Sequence, residues 1–127
     1  MRILLVDDSS FSRTTLKRYF ADIENLEFAE ASNGIEALEL HRSFAPDIIF
    51  MDITMPQLDG LGTLKIISMV DDKVKIIMVS ALGNQTYVAE ECKKYGTFAV
   101  LAKPVSKDVA IKALTDAQEQ LIAGDHQ

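Results

Sequence analysis

Four short stretches place reactive side chains directly behind apolar runs. Asp7-Asp8 follow Ile3-Leu4-Leu5-Val6, Asp52 follows Ile48-Ile49-Phe50-Met51, and Ser80 follows Ile76-Ile77-Met78-Val79. Lys103-Pro104 come soon after Phe98-Ala99-Val100-Leu101. Three ionised carboxylates gathered in one place repel one another, and a divalent cation removes that cost. Hard oxygen donors suit Mg²⁺, which keeps several waters and usually takes one or two protein carboxylates. Such a cation can also bridge to a phosphoryl oxygen, leaving Lys103 to pair with a second oxygen and the Ser80 hydroxyl to donate to a third. Phosphoryl transfer needs little beyond in-line positioning and neutralisation of charge. Asp52, at the centre, is placed to act as nucleophile and become an acyl phosphate. One aspartate after a strand is ordinarily a helix cap or loop residue. The ordered set of four is what points to a site. No Gly-Lys phosphate loop and no GxGxxG occurs, so nucleotide-binding readings lack their signature.

These residues need a scaffold that brings the ends of several runs together. Including Leu26-Glu27-Phe28-Ala29, there are five apolar runs, and continuous runs of this length read as strands buried on both faces. The second alternates apolar with polar, which suits an edge strand with one wetter face. Between the runs lie segments of helical spacing. Phe11, Thr15, Leu16, Tyr19, Phe20 and Ile23 follow a possible cap at Ser9-Ser10, and Glu36 stands three residues after a possible Asn33 cap. Asp59-Gly60, Asn84 and Ser106 open the other three helices, and Gly96 sits where a helix end favours positive φ. The resulting βαβαβαβαβα string predicts a parallel sheet with right-handed crossovers and helices on both faces. In such sheets the site forms beyond the C-terminal strand ends, at a topological switch point.

Composition narrows the possible functions. A chain of 127 residues fits one domain, since compact domains usually run about 100–150 residues. The charged fraction of 25% and the 48% of hydrophobic residues argue against disorder. A net charge of -6 argues against direct DNA binding, which needs clustered Lys and Arg. One cysteine excludes an internal disulfide framework. Met1-Arg2-Ile3-Leu4-Leu5-Val6 runs straight into Asp7-Asp8, unlike a signal peptide, and no apolar run is long enough to insert in a membrane. The expected setting is cytoplasmic.

Val6-Asp7-Asp8-Ser9, Met51-Asp52-Ile53-Thr54-Met55-Pro56-Gln57-Leu58-Asp59-Gly60, Ser80-Ala81 and Lys103-Pro104 together resemble the motif set of response-regulator receiver domains. The resemblance spans Arg2 to about Leu121, and through Ser80-Ala81-Leu82-Gly83-Asn84-Gln85 it is most similar to single-domain, CheY-like chemotaxis regulators. It implies a doubly wound (βα)5 flavodoxin-like three-layer sandwich, with a five-stranded parallel sheet of order 2-1-3-4-5. It implies a receiver domain over residues 1–122 with a C-terminal tail at 123–127. Asp52 would take a phosphoryl group from a histidine kinase, and Ser80 and Lys103 would contact the phosphoryl oxygens. Asp8 and Asp52 would ligate Mg²⁺ directly with the Thr54 carbonyl, and Asp7 would act mainly through water. The Lys103-Pro104 bond would be cis. A phosphoacceptor signalling protein rather than an enzyme is expected, a monomer or weak dimer that meets its downstream target through the face of helix 4, strand 5 and helix 5.

Two positions depart from the family pattern: Val100 stands where receivers usually carry Tyr or Phe, and Val105 where Phe is common. Phe98 and Tyr87 are candidates to replace the missing aromatic, Phe98 from the same strand face as Val100. A phosphorelay intermediate and a receiver cut from a longer regulator are alternatives within the family. A small haloacid-dehalogenase-type hydrolase would need a second Asp two residues after the nucleophile, where Thr54 stands. A flavin binder would need a phosphate-cradling loop after the first strand, where Asp7-Asp8 would repel the anion. Elsewhere, core or loop packing is expected for Met51, Met55, Met69 and Met78, apolar packing for Cys92, and the part of a core anchor of the first helix for Phe11. No ligand role is expected for His41 or His126, and Lys93, Lys94, Lys107 and Lys112 are expected on solvated faces.

Overall fold

The computed structural model describes residues 1–55, 57–81 and 86–125. Five strands, β1 (Arg2–Val6), β2 (Glu27–Ala31), β3 (Ile48–Asp52), β4 (Lys75–Ser80) and β5 (Ala99–Ala102), alternate with five helices. The helices are α1 (Ser10–Tyr19), α2 (Gly34–Ser43), α3 (Gly60–Val70), α4 (Thr86–Lys94) and α5 (Lys107–Asp125). All strand pairs are parallel, in the order β2-β1-β3-β4-β5. This is the expected doubly wound sandwich.

Alternate residues of each strand feed opposite cores. Ile3, Leu5, Ile48, Phe50, Ile77 and Val79 pack beneath Ala110, Ala113, Leu114 and Ala117 of α5, with Leu16 and Tyr19 of α1 at the margin. Leu4, Val6, Ile49, Met51, Ile76 and Met78 pack against α2, α3 and α4 through Ala37, Leu64, Ile67, Val88 and Cys92. The short Ala side chains let α5 sit close to the sheet, whereas Phe20 fills the wider space beside Phe50, their ring centroids 5.4 Å apart.

Local chemistry sets the helix starts. Ser9 accepts a hydrogen bond from the Ser12 amide, and Asp59 accepts one from the Gly62 amide at 2.8 Å. Asn33 Oδ1 accepts from the Glu36 amide at 2.8 Å, while the Glu36 carboxylate accepts from the Ser32 amide and hydroxyl. Ser106 accepts from the Val109 amide at α5. Gly96 has φ of +79°, as its place after α4 requires. The expected cap at Asn84 lies outside the described residues.

Several expectations need correction. Strands β2 and β5 begin one residue later than their apolar runs, and α5 continues through Ala123, Gly124 and Asp125 into the segment read as a tail. Phe11 is no core anchor: it stands in the first turn of α1, ahead of the residues that reach the core, and is 77% exposed. Met51, Met55 and Met78 are buried, but Met69 is 82% exposed on the outer side of α3. Phe98 precedes β5 and joins the core under α1 and α5, whereas Val100 joins the opposite one. The two do not share a strand face.

Candidate functional site

Strand register brings the chemistry together. Val6 of β1 is level with Met51 of β3, so Asp7 and Asp52 leave the sheet side by side. Asp52 pairs with Val79, the residue before Ser80, and Ser80 in turn pairs with Ala102, the residue before Lys103. The Lys103 amide donates to the Ser80 carbonyl at 3.0 Å, extending the β4–β5 ladder to the lysine itself. The Lys103-Pro104 peptide bond is cis. Four motifs separated in sequence thus converge on the C-terminal edge of β1, β3, β4 and β5.

Asp7, Asp8 and Asp52 each present a carboxylate oxygen within 4.8 Å of the others. Asp7 and Asp52 are buried, and Asp8 is exposed at the rim. Lys103 Nζ lies 3.1 Å from Asp7 Oδ2 and 3.4 Å from Asp52 Oδ2. Burial pushes the Asp52 carboxyl above its ordinary pKa and the charge of Asp7 adds to this, while Lys103 and the Thr54 amide pull the other way. Burial disfavours the Lys103 ammonium, but its bonds and attraction to Asp7 and Asp52 outweigh that and raise its pKa. Ser80 is buried at the end of β4, and Thr54 is exposed in the loop after β3. All six residues singled out in the sequence therefore sit at one edge.

Two supporting roles are not visible in the sequence pattern. The Arg13 guanidinium donates to the Asp7 backbone carbonyl and, through Nε, to Glu30 Oε1 at 2.9 Å. Lys17 adds a second cation to Glu30, so α1 is tied to both β1 and β2 beside the carboxylates. An arginine one turn after the Ser9 cap was the available signal, but sequence spacing does not reveal that its fork spans two strands. Gly60 is the other. A Cβ there would stand 2.2 Å from the Asp52 carbonyl oxygen, so only glycine lets α3 begin against β3. His41 lies apart from the site and meets Asp71 at 2.8 Å. Cys92 is a buried packing residue, and His126 falls outside the described residues.

The arrangement gathers two buried carboxylates and one exposed carboxylate, with a lysine against the buried two. No carboxylate follows two residues after Asp52, which disfavours the hydrolase reading. Comparison with known proteins agrees. Residues 3–115 match the family model of the response regulator receiver domain. The chain is 40% identical over 117 residues to the chemotaxis protein CheY of Listeria monocytogenes, covering 92% of this chain and 98% of that one. It is 38% identical over 113 residues to CheY of Bacillus subtilis, covering 89% and 93%. Among solved structures, the response regulator domain of Thermotoga maritima CheB superposes with a TM-score of 0.82 at 32% identity, over 95% of this chain and 96% of that one. The CheX–CheY–BeF₃–Mg²⁺ complex of Borrelia burgdorferi gives a TM-score of 0.84 at 29% identity, over 91% and 87%. Fold, motif order and these relatives lead to one conclusion: the chain belongs to the response regulator receiver domain family, among the homologues of CheY, the chemotaxis regulators of two-component phosphoacceptor signalling.

Proposed function

We propose that Asp52 is the phosphoacceptor, that a histidine kinase is its donor, and that the product signals by protein–protein contact, in chemotaxis. The observation that carries this reading is the position of Lys103 Nζ, between the Asp7 and Asp52 carboxylates at the mouth of the buried acidic pair. An Asp52 oxygen forms a bond to phosphorus as the bond from phosphorus to the donor's imidazole nitrogen breaks, the electron pair leaving on that nitrogen. Lys103, freed from holding two carboxylates, then pairs with a phosphoryl oxygen, and the Ser80 hydroxyl donates to another.

The all-oxygen donor set and the mutual repulsion of Asp7 and Asp52 fit a hard divalent cation. Asp8, Asp52 and the Thr54 carbonyl would hold Mg²⁺ directly, with Asp7 acting through water. Mg²⁺ would supply neutralisation of the transferring phosphoryl oxygens. The receiver comprises residues 1–122, followed by the segment 123–127. Its target meets the face formed by α4, β5 and α5, and the related Borrelia CheY in complex with CheX supports a protein as that target. The protein works in the cytoplasm, as a monomer or weak dimer, without binding DNA directly or inserting in a membrane. No helix among the described residues is long and apolar enough to cross one.

With Mg²⁺ and acetyl phosphate, intact-mass analysis should find one labile phosphoryl addition on the wild type and none on Asp52→Asn. Full labelling of Asp52→Asn would overturn the assignment.

A further inference from the structure

Arg13 stands one turn after the Ser9 cap, its amide bonded to the Ser9 carbonyl at 3.2 Å. Its side chain turns back toward the N-terminus of α1, the ordinary direction on a helix. That brings the guanidinium to the backbone carbonyl of Asp7, and its Nε to Glu30 of β2 at 2.9 Å. Charge alone gives no reason for a cation at this place. A guanidinium bonded to the Asp7 peptide repels any divalent cation that Asp7, Asp8 and Asp52 would hold. Its use must lie in what it fixes, which is the peptide between Asp7 and Asp8. Asp7 is held at its other polar atoms: its amide donates to the Ala31 carbonyl at 3.1 Å, Oδ1 accepts from the Ser9 amide at 2.9 Å, and Oδ2 faces the Lys103 ammonium at 3.1 Å. Asp8 is not held in this way. Its carboxylate is exposed, and among the described residues nothing bonds it, so its direction follows from the backbone before it.

We propose that Arg13 is a positioning residue for the metal site: by pinning the Asp7 carbonyl, with Glu30 as its anchor, it aims the Asp8 carboxylate at a cation shared with Asp52. The inference rests on Asp8 and Asp52 holding Mg²⁺. The fork matters as much as the charge. Nη1 serves the Asp7 carbonyl and Nε serves Glu30, in a planar group whose donors are fixed relative to one another. Glu30 is held in turn by Lys17 at 2.9 Å, and the Arg13 side chain is only 16% exposed. A lysine at position 13 would keep the charge and lose the fork.

Mg²⁺ demands near-ideal octahedral geometry, whereas Ca²⁺ accepts irregular sites. A positioning residue therefore acts on the ratio of the two affinities, from which a change of charge cancels because both ions are divalent. NMR titrations of the Asp8 and Ser9 amide signals with Mg²⁺ or Ca²⁺ alone give both affinities, with no phosphodonor present. We expect Mg²⁺ affinity to fall about tenfold in Arg13→Lys, and the Mg²⁺-to-Ca²⁺ ratio to drop in both Arg13→Lys and Arg13→Ala. Acting as a charge only, Arg13 would give another pattern: Arg13→Ala would tighten both ions and Arg13→Lys would change neither. Glu30→Ala removes the anchor and keeps the guanidinium, so it should lower the ratio by a smaller factor, and it decides the matter if the Arg13 variants do not fold. An unchanged ratio in folded variants overturns the role of Arg13 and leaves the metal site standing. No saturable response of the wild type to Mg²⁺, or undiminished binding by Asp8→Ala, overturns the underlying metal assignment as well.

Discussion

Burial and the neighbouring Asp7 both raise the pKa of Asp52, and Lys103 only partly offsets them. The net direction shows that the ion pair does not cover the cost of holding this charge inside the protein. In metal-free protein, Asp52→Asn should therefore raise stability, read as a higher melting temperature. The sign with pH follows. A carboxyl whose folded pKa is raised destabilises the fold above that pKa, and the penalty disappears as it protonates. The melting difference between Asp52→Asn and wild type should shrink on acidification. Mg²⁺ should raise the wild-type melting temperature more than that of the variant, because ligand binding to the folded state stabilises it by mass action. Equal Mg²⁺ shifts would remove Asp52 from the ligand set. Asp7, Asp52 and Ser80 were legible in the sequence because each directly follows a run that reads as a buried strand, and parallel strands end on one side. Phe11 was not. Helical spacing names a candidate face but not how far along it burial extends: Leu16 and Tyr19 reach the core, and Phe11 stays exposed.

At the scale of elements, start signals were the most readable feature, since a cap is a local bond. Asn33 is bonded to the Glu36 amide and Glu36 back to Ser32, so Asn33→Ala should cost about 1 kcal/mol in denaturant unfolding. Contacts between elements were not readable. Gly60 has ordinary φ and looks like any residue after a cap, yet the 2.2 Å between its would-be Cβ and the Asp52 carbonyl makes it a packing requirement. Gly60→Ala should displace α3 from β3, cost roughly 2 kcal/mol or more, and slow Asp52 labelling at saturating Mg²⁺. A loss of stability without any change in labelling would show that α3 does not position the site. The link from α2 to α3 is likewise non-local. Burial opposes the charge of Asp71, but hydrogen bonds from His41 and from the Lys73 and Val74 amides outweigh it and lower the carboxyl pKa. A lowered carboxyl pKa stabilises the fold above the ordinary Asp range and ceases to do so as pH falls through the folded pKa. Asp71→Asn should be destabilising at pH 7 and should converge with wild type in strong acid.

For the whole molecule, the question is how a phosphoryl group at one sheet edge changes a distant face. Coupling between sites requires an element whose contacts differ between two states, because only differential interaction shifts an equilibrium. Receivers resembling this one usually place an aromatic three residues before the lysine, where its ring can exchange exposed and buried positions. Here that position is Val100, half-buried against the core beneath α2, α3 and α4. A β-branched side chain is stiff at χ1 and too short to move between two sites. Among the described residues, neither Phe98 nor Tyr87 replaces it. Phe98 is committed to the opposite core, and Tyr87, 65% exposed on α4, begins outside any packed position. The sequence left Phe98 open as a substitute because it stands two residues from Val100. The structure removes it, since β5 begins only at Ala99 and strand alternation does not extend to Phe98. Output should therefore be less tightly coupled to phosphorylation than in an aromatic-bearing receiver. Backbone amide NMR of free and beryllofluoride-treated protein should show its main shifts at Asp52, Ser80 and Ala81, with smaller ones at Val100. Val100→Tyr should increase the response along β5, because it restores a side chain long enough to have two positions. A wild-type rearrangement at Val100 as large as that at Ser80 would mean that the switch runs through β5 without a ring.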